Sequence, residues 1–438
     1  MSPEILGLVG LASLFGLICI GFPISFTLIF LALVLGYIGF GQVVFYLMTL
    51  QFFGVMTDTV LSAVPFFLFM GYILEDSGLM NRLFKAFQLM LARLSGSLYL
   101  AVTSTATIFA AATGIVGSSI TLLGVMAAPT MKESKYDTRL SAGCITAGGT
   151  LGILIPPSIM LVVMGPVVGV PVTDLFAAAI LPGIMLAGLY MTYALVRSYF
   201  KPALGPPLAE HLRAPSKAYI VRELLFGVLP VSALIMATLG SIMAGMATPT
   251  EGAAAGAFGA LILSFIYKRL TYGGLKKSMF RTLEISAMIL LLVAASNFFG
   301  SVFSRLGSAT LLTELLMKTH LPPMLLLILI LALIFVLGWP LEWVPIVLII
   351  LPVLLPVVNQ VGYDLTWFSI LVAVTLQTAW LSPPVALSAY FLKGVVPDWD
   401  LKDIYAGMMQ FMALQCLGAL LILFFPSIVT WLPQLLRG

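Results

Sequence analysis

Two stretches of this 438-residue chain hold the residues best suited to chemistry, and neither depends on charge. Gly148-Gly149-Thr150-Leu151-Gly152-Ile153-Leu154-Ile155-Pro156-Pro157-Ser158 and Gln377-Thr378-Ala379-Trp380-Leu381-Ser382-Pro383-Pro384 each lie inside a long apolar run. A double proline removes two backbone donors and disfavours helix in the residue before it, so both segments must leave helical geometry. Carbonyls freed by such a break, with nearby hydroxyls and the negative ends of half-helices, can replace the hydration shell of a hard cation such as Na⁺. The helix starts at Pro157 and Pro384 offer positive dipole ends to an anion. A single break of this kind is explained as well by a kink or by close helix packing. Two in matching places favour an ion site.

Two glycine-containing tips stand close by in the sequence. Thr113-Gly114-Ile115-Val116-Gly117-Ser118-Ser119 precedes the first break, and Gly338-Trp339-Pro340-Leu341-Glu342 precedes the second. Glu342 is the acidic group expected deepest in the apolar text, where ionisable side chains are rare and functional by default. A proton relay and an acceptor for backbone donors at the tip are equally good readings of it. Glu251 is different. Thr248-Pro249-Thr250-Glu251 spells a capping box with proline at the first helical position. Gly252, Gly256 and Gly259 would give close packing behind it. Asp58, at the mouth of a span, reads as a cap.

The elements that position these residues are membrane helices. Hydrophobic residues make up 61% of the chain and charged residues 9%, against roughly 25% charged in a soluble domain. That balance excludes a soluble enzyme, a nucleic-acid binder and a disordered scaffold. No Asp, Glu, Lys or Arg occurs between Glu4 and Asp58, from Leu94 to Met131, from Leu140 to Thr173, or from Ile404 to Leu436. Each gap exceeds the ~20 residues of a spanning helix, and runs this long are unlike the alternating strands of a barrel. Cys19, Cys144 and Cys416 stand alone and read as buried thiols; no HExxH or GxGD motif supports an intramembrane enzyme. The N-terminal run reads as a retained span.

Spans are expected near 4–20, 22–40, 57–77, 173–199, 219–246, 249–267, 283–304 and 401–432. Interfacial pieces are expected at 79–94 and 308–319, and apolar segments at 97–131, 139–168, 322–358 and 365–395. The second half of this series retraces the first. Pro129 matches Pro356, Tyr136-Asp137 matches Tyr363-Asp364 and Pro156-Pro157 matches Pro383-Pro384, all at an offset of 227. Pro23 matches Pro249, and Val170-Pro171-x-x-Asp174-Leu175 matches Val396-Pro397-x-x-Asp400-Leu401, at 226. Residues 1–200 and 219–438 are therefore read as homologous halves joined by the polar, Pro-rich segment 201–218. Segment 78–140 carries six Lys/Arg and its counterpart 305–367 two, whereas 268–281 carries five and its counterpart 42–54 none. Basic residues near span ends stay cytoplasmic, so the halves are expected upside down relative to each other with the linker in the cytoplasm. The segments 97–131 and 322–358 then read as re-entrant hairpins. Inverted repeats mark secondary transporters, with the site where the repeats meet.

The run Ala247-Thr248-Pro249-Thr250-Glu251-Gly252-Ala253-Ala254, Gly152-x-x-Ile155-Pro156-Pro157-Ser158, Gly117-Ser118-Ser119 and Pro65-Phe66-Phe67 resembles the large membrane subunit of tripartite ATP-independent periplasmic (TRAP) transporters. The resemblance covers essentially the whole chain. It implies an all-α elevator transporter of two inverted five-span repeats in the bacterial inner membrane. It further implies coupling to Na⁺ with no other cofactor, a small four-helix membrane subunit, and a periplasmic binding protein that delivers an organic acid. Carried across residue by residue, one sodium site would use Val116, Ser119, Gly152, Ile155 and Pro157, and the other Gly338, Ala379, Ser382 and Val385. Val116 replaces the family's usual Ser, which removes any side-chain oxygen there, while Ala379 and Ser382 replace Gly and Thr. Ser118, Ser119, Thr150, Ser158, Gln377 and Ser382 are expected to line the substrate cavity. The competing expectations are a proton-coupled carrier relaying through Glu342, a channel, and an intramembrane enzyme.

Overall fold

Pro3 sits in the first turn of α1 (Pro3–Ile20), and α2 (Ile24–Phe40) follows the expected Gly21-Phe22-Pro23 break. The computed structural model describes residues 2–318, 320–339, 341–383 and 386–437. After α2 come α3 (Val43–Thr57) and α4 (Ala63–Asp76). Between them Asp58 Oδ1 accepts hydrogen bonds from the amides of Val60 and Leu61 at 2.8 and 3.1 Å, so Asp58 is a turn cap. A 63° bend joins α4 to α5 (Leu79–Leu91). This helix is amphipathic: Leu79, Leu83, Phe84 and Leu89 are buried while Arg82 and Lys85 are exposed.

Five helices complete the first half: α6 (Ser97–Thr113), α7 (Val116–Glu133), α8 (Thr138–Thr150), α9 (Ile159–Val168) and α10 (Val172–Phe200). The 201–218 connector holds only two short 3₁₀ turns before α11 begins. The second half runs α11 (Lys217–Met243), α12 (Pro249–Ile266), α13 (Tyr272–Arg305), α14 (Ser308–Met317), α15 (Pro323–Leu337) and α16 (Trp343–Val361). It ends with α17 (Leu365–Ala379), α18 (Leu387–Val395), α19 (Leu401–Phe424) and α20 (Ser427–Arg437). The matched Tyr-Asp pairs do the same work in both halves. Asp137 caps α8 through Leu140 N at 2.8 Å, and Asp364 caps α17 through Trp367 N at 2.7 Å.

Three boundaries differ from expectation. Residues 43–57 form α3 rather than a connection, because an uncharged run with no proline has nothing to stop a helix. The basic segment 268–281 does not end before a span at 283; α13 already begins at Tyr272, capped by Thr271 Oγ1 accepting from Gly274 N at 3.1 Å. The expected final span to 432 stops at Phe424, ahead of Pro426, which has no N–H to donate and disfavours helix at Phe425.

Packing crosses between the halves. Helix α4 packs on α12 and α13 on α2, α5 on α11 and α14 on α1, and α8 on α19 and α17 on α10. The α8–α19 crossing is close: a methyl group on Gly407 would lie 1.9 Å from the Arg139 carbonyl oxygen. Among the described residues, seven helices are long and apolar enough to cross a bilayer, or eight if the bent α4–α5 pair counts as one span. The outer helices present Phe26, Phe30 and Ile38 of α2, Met236 of α11, and Phe258 and Phe265 of α12. This is a multi-pass membrane protein whose exposed side chains suit lipid.

Candidate functional site

Helix α6 ends at Gly114, whose φ of 60° is left-handed, so the chain reverses at the expected tip and Val116 starts α7. The tip closes on the first break. A methyl on Gly114 would lie 3.2 Å from the Ile159 side chain, and one on Gly152 would lie 3.7 Å from Ala110 O and 3.8 Å from Gly114 Cα. Within the break, a 3₁₀ turn over Leu151–Ile153 follows α8, and the amides of Leu154 and Ile155 both donate to Leu151 O. The Ser158 hydroxyl donates to the Ile153 carbonyl. Val116, Ser119, Gly152 and Pro157 are buried here, and the Ile155 side chain packs against α10 at Gly183.

The second half repeats this contact. A methyl on Gly338, just past α15, would lie 2.6 Å from the Ala379 side chain at the end of α17. Trp339 Nε1 donates to Ser382 Oγ at 2.7 Å, and that hydroxyl donates to Ala379 O at 3.1 Å. Gly338, Trp339, Glu342, Ala379, Trp380 and Ala386 line a cavity of about 10 Å³, the room of a single water-sized sphere. Ala386 is held at φ 39°, a left-handed conformation strained for any residue with a Cβ. Gly338, Ala379 and Ser382 are thus brought together, while Val385 lies outside the described residues. Glu342 is exposed and its side chain makes no capping hydrogen bond, so the reading of it as an acceptor for tip donors does not hold.

The two breaks meet through buried amides. Gln377 Nε2 of α17 and Gln415 Nε2 of α19 both donate to Thr150 Oγ1, each at 3.1 Å, and Thr150 donates to Ala147 O at 2.8 Å. A second link is apolar: a methyl on Gly117 would lie 2.7 Å from the Phe391 ring, which stacks on Trp380. Of the six residues expected to line the substrate cavity, Ser119, Thr150, Ser158, Gln377 and Ser382 are buried, and Ser118 is the one partly open to solvent. Ser118 Oγ donates to Glu75 Oε2 of α4 at 2.7 Å. Sequence reasoning passed over Glu75 because it lies outside every motif. It also passed over Gln415, although an amide deep in the uncharged part of a span was a usable signal.

Glu251 is structural. Thr248 N donates to Glu251 Oε2 at 2.8 Å and Glu251 N to Thr248 Oγ1 at 3.3 Å, completing the capping box. Thr250 Oγ1 then ties α12 to Thr59 O, beside the Asp58 turn, at 2.6 Å. Ion pairs fix the outer ends of the interior elements: Lys132–Asp398 at 2.6 Å and Arg139–Asp403 at 2.8 Å. The Lys132 ammonium holds the Asp398 carboxyl below the usual carboxylate range.

Bilayer-length helices around two breaks, each closed by a glycine-containing tip, define a multi-pass membrane protein. Residues 11–428 match the family described as the tripartite ATP-independent periplasmic transporter, DctM component, and the chain belongs to it as a TRAP transporter large membrane subunit. Over 391 residues it is 29% identical to the C4-dicarboxylate TRAP transporter large permease protein DctM of Rhodobacter capsulatus, covering 85% of this chain and 87% of that one. It is 27% identical over 429 residues to the sialic acid TRAP transporter large permease protein SiaM of Vibrio cholerae, covering 97% of each. The isethionate TRAP transporter permease protein DctMQ of Oleidesulfovibrio alaskensis is 28% identical over 334 residues, which is 76% of this chain and 52% of that one. The YdaH transporter of Alcanivorax borkumensis shares the fold, with a TM-score of 0.64, 16% identity, and coverage of 99% of this chain and 100% of that one.

Proposed function

We propose that this chain is the carrier subunit of a sodium-driven importer of an organic acid. The observation that carries this reading is the repeated tip-to-break contact, Gly114 with Gly152 and Gly338 with Ala379, which brings each tip against the helix end at the neighbouring break. The second leaves about 10 Å³ beside Gly338 and Ala379. Backbone and hydroxyl oxygens beside a one-ion space suit Na⁺, whose hydration shell carbonyls replace. The first place lacks a side-chain oxygen at Val116, so its ion would rest on carbonyls and Ser119.

The cross-packing of α4 on α12 and α13 on α2, with the matched offsets, supports two inverted repeats, 1–200 and 219–438, joined by a cytoplasmic linker. In this reading α6–α9 and α15–α18 move as an elevator against α1, α2, α11 and α12. Family membership supports a small membrane subunit, a periplasmic binding protein and the inner membrane as partners and location. The names of the three relatives all specify acids, which supports an organic anion as substrate. Uptake by the complex in proteoliposomes, with binding protein outside, tests the reading. Uptake should follow an inward Na⁺ gradient; uptake indifferent to that gradient would sink the coupling.

A further inference from the structure

Ser118 is at the first tip, yet its hydroxyl proton is already committed to Glu75, a carboxylate on a different element. Glu75 belongs to α4, which packs on α12 and α13, and its side chain is about 20% exposed. Its other oxygen lies 3.9 Å from Arg281 Nη1 of α13, and the Arg281 guanidinium sits 5.8 Å above the Tyr72 ring. One face of Glu75 opens on a polar cavity of about 460 Å³ that it lines with Asp76, Asn81, Arg82, Tyr267 and Arg269. Arg82 stacks on Tyr267, and among the described residues neither Arg82 nor Arg269 makes an ion pair.

From this juxtaposition of Ser118, Glu75 and Arg281 we propose that Glu75 is a resident carboxylate. It occupies Ser118 while the carrier is empty and gives way, toward Arg281, to the carboxylate of an arriving acid. The inference rests on the proposed transport of an anion past the first tip. Ser118 has a single proton to donate, so Glu75 and a substrate oxygen compete for it. An anion at Ser118 also meets the charge of Glu75 at hydrogen-bond range, and Arg281 is the adjacent cation able to hold Glu75 aside. The exchange would free the tip from α4, which an elevator step requires. Glu75 and Arg281 would thus be specificity-determining positions, favouring anions that outcompete the resident group.

Thiol labelling of the purified complex with its small membrane subunit tests this without knowledge of the substrate. Ser118→Cys is introduced with the exposed Cys19 and Cys416 replaced by Ser. Anionic sulfonatoethyl and cationic trimethylammonium-ethyl methanethiosulfonates are then compared, the sulfonate standing in for the arriving acid. With Glu75 present the cationic reagent should react faster. Adding Glu75→Gln should raise the ratio of the anionic to the cationic rate by roughly 25-fold, because a unit charge about 4 Å away in water acts about fivefold on each reagent and in opposite directions. Glu75→Ala should act in the same direction, Glu75→Asp should keep the original ratio, and Arg281→Gln should lower the anionic rate. An unchanged ratio in Glu75→Gln and Glu75→Ala would overturn the proposal. Both rates rising by the same factor would overturn it likewise, because that is only the larger thiolate fraction of a thiol relieved of a neighbouring charge. Sodium-blind uptake would defeat the coupling reading while the labelling ratio still decides Glu75, so the two failures are told apart.

Discussion

Trp339 donates its indole N–H to Ser382 Oγ at 2.7 Å, and this bond ties the end of the second tip's first helix to the second break. Ser382 in turn donates to Ala379 O, so one hydroxyl orders the backbone beside the small cavity. Ser382→Ala removes the acceptor and leaves a part-buried indole donor unpaired, whereas Trp339→Phe removes both the donor and its demand. Leaving a buried donor unpaired costs about 1–3 kcal/mol, which is roughly 5- to 150-fold in affinity. Ser382→Ala should therefore raise the Na⁺ concentration for half-maximal uptake more than Trp339→Phe does. Equal effects would mean that the bond does not shape the ion site.

The buried junction between the breaks makes a second case. Thr150 Oγ1 accepts from two amides, Gln377 and Gln415, all three residues having no solvent exposure. Thr150→Val keeps the shape but strands both donors, so about 2 kcal/mol or more of stability should be lost. Thr150→Ser should retain most of it. Thermal unfolding in detergent distinguishes them, and a Thr150→Val protein as stable as wild type would show that the amides find other acceptors.

Much of this architecture was legible in the sequence, and the reason is physical. Glycine and proline act locally, so the tip at Gly114, the break before Pro156 and the capping box at Thr248 could be read from neighbours alone. The Asp137 and Asp364 caps were legible as repeated Tyr-Asp pairs. Contacts across the chain were not. Ser118 and Glu75 are 43 positions apart, and neither residue type announces the other. Arg281 was read as part of a basic connection because charge was taken to end a span, whereas a long side chain on α13 can carry its head to a polar edge. Helix α3 escaped notice because its apolar run continues from α2 without a charged marker.

The α8–α19 crossing predicts a severe effect from one methyl group. Gly407→Ala would set its Cβ 1.9 Å from the backbone oxygen of Arg139, and backbone cannot give way as a side chain can. Overpacking usually costs about 1–3 kcal/mol, and a backbone collision belongs at or above the upper end. The variant should yield little monodisperse protein, while Gly188→Ala, in open space on α10, should behave as wild type.

Acid sensitivity should be detectable at one outer tie. Lys132 depresses the carboxyl of Asp398, so the pair contributes while Asp398 is ionised and is lost as pH falls through its lowered value. The stability difference between wild type and Asp398→Asn should stay constant at neutral pH, begin to shrink near the ordinary carboxylate range, and vanish only below the lowered value of Asp398. Because both groups are solvent-exposed, raising the salt concentration should shrink that difference at every pH. A difference that does not shrink as pH falls below the ordinary carboxylate range would place its origin elsewhere than in the ion pair.

Glu342 separates sodium from proton coupling. It precedes α16, is exposed, and offers no hydrogen bond to the helix start, so its charge is not needed as a cap. It nevertheless borders the cavity formed by Gly338 and Ala379, where a titrating carboxyl would lie close to a bound cation. If Na⁺ is the coupling ion, Glu342→Gln should keep Na⁺-driven uptake within a small factor of wild type, with at most a change in Na⁺ affinity from the lost charge. If the proton is the coupling ion, the same variant should abolish uptake driven by a pH gradient, because a relay needs a group that gains and loses a proton. Measuring both gradients on one preparation separates the outcomes. Retained pH-driven uptake in Glu342→Gln would remove Glu342 as the relay, and its selective loss would overturn the sodium reading.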